Sequence, residues 1–354
     1  MNHLKQIAAK LPEYEIDAML LSSAPGEFYG VGFHGEGYVV VTANECRYFT
    51  DSRYIEAAEK TVTGAAITMT SRSLSYPTLI QKAIDDLGIH KMGFEDSYMT
   101  VAEYKRLDGA LQVELAPAQG LVNGLRAAKD QEELDAMVQA QRISERAFDE
   151  ILKFIKPGVT EKEIAAKLEY DMLRFGAQKM SFDPIVVSGP NGSLPHGVPS
   201  DKKVENGEFI TMDFGCIYNG YCSDMTRTVA VGEPTQEMRK VYDTVLRAQR
   251  AGIAATRAGV PGKQIDAAAR KVIEEAGYGP YFGHGYGHSV GIEIHESPNA
   301  NTADETPMPV GAAVSAEPGI YLPGRFGVRI EDVVVMTEDG CEILTKSPKE
   351  LIIL

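Results

Sequence analysis

The chain has 354 residues, 44% of them hydrophobic and 24% charged, a globular composition long enough for two domains. Its formal net charge is −15 and no cluster of lysine and arginine stands out, which argues against a nucleic-acid-binding surface. No apolar run approaches the roughly 18 residues of a membrane helix. The N-terminal "MNHLKQIAAKLPEYEIDAML" has no apolar stretch of the secretory type. Cys46, Cys216, Cys222 and Cys341 form no C-x-x-C pair, so free thiols in a cytoplasmic protein are expected.

In chain order, "DAMLLSS", "GYVVVTA", "CRYFTD", "AAITMTS", "KMGFED" and "LQVELA" read as short strands. "SYPTLIQKAIDDLG" and "TVAEYKRLDGAL" read as helices between them, an α/β pattern. The stretch "APAQGLVNG", around residues 117–124, reads as a polar connector. A long helix follows in "KDQEELDAMVQAQRISERAFDEILKFI". Then comes an internal repeat at an offset of 101: Gly158, Val159, Lys162, Ile164, Ala166 and Gly176 match Gly259, Val260, Lys263, Ile265, Ala267 and Gly277. Each copy reads as helix, Gly-Val turn, helix and strands, so the second domain is expected to be two α+β halves about a pseudo-twofold.

The strands after the first copy, "GEFITMDFGCIYNGYCSDMTRTVAV", flank Asn219-Gly220, a strong hairpin signal. A two-residue loop there pairs Tyr218 with Tyr221 and Gly215 with Asp224, so Asp213 and Asp224 become diagonal neighbours on one face, about 7–8 Å apart at Cα. Buried together without a cation, they would repel. The second copy has "GAAVSAEPGIYLPGRFGVRIEDVVVMTEDG", with Glu317 and Glu331 on two arms. An odd loop such as Pro323-Gly324-Arg325 puts both on one face. Four carboxylates and one neutral histidine nearly balance two divalent cations, and such a ligand set suits Mn²⁺ or Co²⁺ as well as Zn²⁺. Such a pair is the machinery of hydrolytic aminopeptidases.

The loop "GHGYGHSVGIEIHE" holds His284, His288 and His295, and "GSLPHGVPSD" adds His196. Gly287 to Gly291 also matches G-x-S-x-G, which would make Ser289 a nucleophile. That motif needs a preceding strand and a downstream acid and histidine on separate loops. Here only Glu293 and His295 follow within six residues, so a metal site is favoured over a serine nucleophile.

The order Asp213, Asp224, His288, Glu317, Glu331 resembles the five-ligand signature of the pita-bread metallopeptidases: methionine aminopeptidase, prolidase and aminopeptidase P. "SFDPIVVSGPNGSLPHG", "MDFGCIYNGYCSDMTRT", "AEPGIY" and "GVRIEDVVVMTEDG" resemble that family's blocks. "YFTDSRYIEAAE" resembles the creatinase-type N-terminal domain of its proline-specific branch. The resemblance implies a creatinase-like domain over residues 1–123 and a pita-bread catalytic domain over 124–354. It implies a homodimer whose substrates are peptides with proline in second place, and two metal ions, Mn²⁺ foremost. Asp224 and Glu331 would bridge the metals, and Asp213, His288 and Glu317 would complete their ligands. Glu317 would also act as general base. His196, His284 and His295 would handle substrate and protons, with Tyr321 and Arg329 in support. Arg227, Arg325 and Arg329 are the arginines nearest the ligands in sequence, and none looks reserved for a substrate carboxylate. An Xaa-Pro aminopeptidase is therefore expected ahead of an Xaa-Pro dipeptidase. A metal-free creatinase-like hydrolase or a non-catalytic binding module fits less well, because all five ligand positions hold metal-binding side chains.

Overall fold

The computed structural model describes residues 2–354. Two compact units divide after Arg126. The first carries helices α1 (Leu4–Lys10), α2 (Ala24–Val31), α3 (Ile55–Thr61), α4 (Tyr76–Leu87), α5 (Val101–Asp108) and α6 (Gln119–Ala127). Its strands are β1 (Ala18–Leu21), β2 (Tyr38–Thr42), β3 (Cys46–Thr50), β4 (Ala66–Met69), β5 (Lys91–Phe94) and β6 (Glu114–Pro117). They form one mixed sheet in the order β4-β3-β2-β1-β5-β6. Leu20, Val40 and Phe49 pack with Ile80, Ala83 and Ile84 of α4 in its core.

All six expected strands are present. Three helices carry no strong sequence signal, although α2 has a Ser23 cap accepting from Gly26 N and stops at Gly32, φ 68°. The expected connector around 117–124 is instead mostly helical, with α6 starting at Gln119 directly after β6. Gly120 and Gly124 weaken its propensity, but Leu121 and Val122 are buried, and their burial outweighs the glycines.

The second unit has helices α7 (Gln131–Phe154), α8 (Glu161–Arg174), α9 (Gln236–Ala255) and α10 (Gly262–Glu275). Its strands are β7 (Lys179–Met180), β8 (Ile185–Ser188), β9 (Glu208–Phe214), β10 (Cys216–Tyr218), β11 (Tyr221–Cys222), β12 (Met225–Val231), β13 (Gly287–Ser289) and β14 (Glu296–Ala300), then β15 (Ala313–Ala316), β16 (Gly319–Leu322), β17 (Phe326–Arg329), β18 (Asp332–Met336) and β19 (Cys341–Ile343). The repeat is structural. Helices α8 and α10 begin and end 101 residues apart, and the paired glycines Gly158/Gly259 and Gly176/Gly277 all have positive φ. In the first half Ile164 and Leu168 pack with Ile210 and Met212. In the second, Ile265 and Ala269 pack with Val314 and Val334. Each half is thus a helix pair laid on strands that carry acidic residues.

Candidate metal centre

The first hairpin turns at Asn219 and Gly220, φ 46° and 80°, with Tyr218 opposite Tyr221. The same register runs on through Phe214↔Met225 and Asp213↔Thr226, so Asp213 and Asp224 lie diagonally on one face. In the second hairpin Leu322 pairs with Phe326, leaving the three-residue loop Pro323-Gly324-Arg325. Gly319↔Arg329 and Ala316↔Asp332 keep one register on both sides of Pro318. What reads as one long arm is therefore two strands, because proline has no N–H for the ladder. Glu317 and Glu331 sit at that break, opposite one another. Strand β13 pairs with β15 and brings His288 to the same place, its backbone N–H donating to Ser315 Oγ at 3.0 Å.

These side chains face one another as acceptors. Ser289 O can only accept, so the 3.2 Å contact from His288 Nδ1 puts the imidazole proton there and leaves Nε2 a lone pair. Nε2 lies 3.4 Å from Glu317 Oε1 and 3.6 Å from Asp224 Oδ2. Asp224, His288 and Glu331 offer donor atoms within 4.8 Å of one another. Asp213 Oδ1 is buried with no hydrogen-bond partner. Burial first, then Asp213 and Glu317, holds the Asp224 carboxyl far above its usual range. Burial and the neighbouring carboxylates do the same to Glu331. Burial lifts Glu317 to about 7, against the lowering pull of Arg329. Converging carboxylates, an imidazole lone pair and an orphaned carboxylate oxygen are the donor set of a hard-to-borderline divalent cation, and the residues present fit one.

Arg329 supplies the positive charge nearby. Its Nη2 donates to Asp213 Oδ2 at 2.6 Å, its Nε to Thr226 Oγ1 at 3.0 Å, and its Nη1 to Tyr321 Oη at 2.9 Å and Pro195 O at 3.2 Å. His284 Nδ1 faces Gly285 O at 2.8 Å, so its proton is on Nδ1, and the Tyr321 hydroxyl donates to Nε2 at 2.9 Å. Burial and then Arg329 push His284 down to about 4, keeping it neutral. Both His284 nitrogens are thus used within the protein.

Nine of the ten expected site residues line one cavity of about 550 Å³: His196, Asp213, Asp224, His284, His288, His295, Glu317, Arg329 and Glu331. Tyr321 stands behind it, buried. Phe182, Ile185, Val198 and Ile294 give the cavity apolar walls. The His295 ring sits edge-on to His288, with centroids 4.4 Å apart. Ser289 is fully buried and donates to Pro298 O at 2.5 Å, outside the cavity lining. Thr226 was not singled out in the sequence, yet its hydroxyl donates to Glu331 Oε2 at 2.6 Å. Its place opposite Asp213 in the hairpin was the available signal.

Residues 135–338 match the sequence pattern of Metallopeptidase family M24, and residues 3–128 match the Creatinase/Prolidase N-terminal domain. A solved Xaa-Pro dipeptidase from Bacillus anthracis is 43% identical, with a TM-score of 0.95 over 99% of each chain. A solved X-Pro aminopeptidase from Thermotoga maritima is 39% identical, with a TM-score of 0.91 over 96% of this chain and 98% of the other. A Xaa-Pro dipeptidase of Pyrococcus furiosus is 36% identical over 351 residues, 99% of each chain. Likeness of this extent is likeness of family: with a creatinase-type N-terminal domain before a pita-bread domain, the chain belongs to Metallopeptidase family M24.

Proposed function

We propose that the protein is a dinuclear-metal Xaa-Pro peptidase that hydrolyses the bond between an N-terminal residue and proline. The observation that carries this is the convergence of Asp213, Asp224, His288, Glu317 and Glu331 on one cavity wall, in a chain similar throughout to proteins named for Xaa-Pro substrates. In this reading Asp213, Asp224, His288, Glu317 and Glu331 would hold two divalent ions, Mn²⁺ the first choice. Bound there, the ions would polarise the scissile carbonyl and acidify the attacking water. Glu317 takes up the proton of that water, as a buried carboxylate suits a general base near neutral pH. His196 and His295, in the cavity lining, contact the peptide. Arg329 and His284, also in the lining, are held by Tyr321 behind them, and in this reading Arg329 supports the site while His284 takes part in substrate binding. Four free cysteines agree with a cytoplasmic location, and a homodimer is the assembly the resemblance implies. No helix among the described residues is long and apolar enough to cross a membrane.

Two substrate lengths compete. Arg329 is engaged by Asp213 and Tyr321, Arg325 pairs with exposed Glu237, and Arg227 pairs with buried Asp332. None of the three is left to hold a substrate's C-terminal carboxylate, which favours aminopeptidase activity on longer chains. The names of the Bacillus anthracis and Pyrococcus furiosus relatives favour a dipeptidase. The test compares kcat/KM for Xaa-Pro and Xaa-Pro-Yaa peptides with Mn²⁺, Co²⁺ and Zn²⁺. Cleavage of tripeptides at least as well as dipeptides is expected. Activity confined to dipeptides, and lost on amidating their C-terminus, would turn the assignment to dipeptidase. Metal-free protein whose activity resists chelators would remove the metallopeptidase reading.

A further inference from the structure

Glu161 opens α8 and is fully buried, far along the chain from every acidic residue of the metal cluster. Its Oε1 accepts from Ser188 N at 2.6 Å, Ser188 Oγ at 2.9 Å and Asn191 Nδ2 at 3.1 Å. Its Oε2 accepts from Asn191 Nδ2 at 3.2 Å, Ser200 N at 3.0 Å and Ser200 Oγ at 2.6 Å. Ser188 and Ser200 are the two feet of a Gly/Pro-rich loop, "SGPNGSLPHGVPS", whose only imidazole is His196. One carboxylate therefore closes the loop at its base. Near its tip, Arg329 Nη1 donates to Pro195 O, beside His196.

A buried carboxylate with six hydrogen bonds at a helix start is well stabilised by its donors and the helix dipole. Closing a loop needs no charge, however, and the internal repeat shows the alternative. The position equivalent to Glu161, 101 residues on, is Gly262 at the start of α10. A Cβ there would meet Asn299 O at 1.8 Å, so in the second half β14 packs directly on the helix end. The first half has at this place a loop whose middle packs on β17, where a Cβ at Gly327 would meet Gly192 O at 1.9 Å, and whose two feet are held by a carboxylate.

We propose that Glu161 is a positioning residue for His196: by clamping Ser188 and Ser200 it fixes the loop that holds the imidazole at the cavity. The kinetic consequence rests on the Xaa-Pro peptidase reading; the structural consequence does not. Glu161→Gln keeps the size but turns an NH₂ group on donors. In the metal-loaded enzyme, kcat/KM on an Xaa-Pro peptide should fall about 10- to 100-fold, the scale of misplaced active-site groups, mainly through KM and with metal content unchanged. In a His196→Ala background the same substitution should cost less than about threefold, since the group it positions is gone. Limited proteolysis should cut within 189–199 faster than in wild type. An equal loss in both backgrounds, or an unchanged cutting rate, would overturn the proposal. If Glu161→Gln does not fold by circular dichroism, Ser200→Ala, which retains the Ser200 N–H bond, is judged by the same criteria. If wild type cleaves no Xaa-Pro peptide, the peptidase reading fails, and the cutting rate alone decides the role of Glu161.

Discussion

Asp224 is 3% exposed and hemmed in by Asp213, Glu317 and the His288 lone pair. Burial and the neighbouring carboxylates make that position electrostatically hostile to a charge, a cost that a bound cation would offset. Asp224→Asn keeps the shape and removes the charge, so metal occupancy should fall and turnover should drop by at least about a hundredfold. The fold should survive, because the substitution relieves a repulsion among buried acids. The check is metal content per chain by elemental analysis beside kcat/KM. Two bound metals with wild-type activity would sink the five-residue assignment. Ser289, next to His288, has the opposite character: its hydroxyl is spent on Pro298 O, which is why a G-x-S-x-G match there has no nucleophile behind it.

Among the elements, β13 and β15 approach so closely that a Cβ at Gly287 would meet Ser315 O at 1.9 Å. Ser315 Oγ accepts from His288 N and donates to Glu317 Oε1 at 3.1 Å, so it ties two proposed ligands to the contact. Gly287→Ala should cost about 1–3 kcal/mol of stability as an overpacked site, and lower kcat/KM well beyond what partial unfolding explains. Gly283, in the same glycine-rich run, has open space around its would-be Cβ, so Gly283→Ala should change neither beyond about 0.5 kcal/mol. Thermal melts and kinetics on both variants check this, and equal behaviour of the pair would refute it. The same contrast explains what could be read from sequence. Asn219-Gly220 and Pro323-Gly324-Arg325 specify hairpin registers locally, and those registers bring Asp213 to Asp224 and Glu317 to Glu331. The repeat placed α8 and α10 for the same reason. Helix α6 escaped because its glycines argue against a helix and only tertiary burial of Leu121 and Val122 overrides them. The Arg329–Tyr321–His284 chain escaped at atomic level, because hydrogen bonds between side chains 8 and 37 residues apart leave no periodic trace.

For the whole molecule, the cluster makes global stability depend on metal and pH together. Burial raises Glu317 from an ordinary value of 4.5 to about 7, and Asp224 and Glu331 are raised too. The folded acid keeps a proton that the unfolded chain has released, so the folded state binds more protons and stability falls as pH rises through this window. The penalty is absent below about pH 4.5 and complete above about pH 7 for Glu317. His284, His288 and His295 are lowered by burial and pull the other way between their folded values and the ordinary 6.5, so a pH scan of wild type alone mixes the two. Glu317→Gln separates them, because the variant keeps the histidines and stands in for the protonated acid. In chelator the two proteins should melt together near pH 4, below the window. Near pH 8 the variant should be the more stable, by a few kcal/mol at about 1.4 kcal/mol per pKa unit. With Mn²⁺ the order should reverse near pH 8, because cations stabilise most the protein that keeps all five ligands. Melting curves of both proteins at two pH values, with chelator and with Mn²⁺, make the test. Wild type remaining ahead of Glu317→Gln in chelator near pH 8 would mean that the cluster is not held against its own charge, and the electrostatic case for two cations would fall with it.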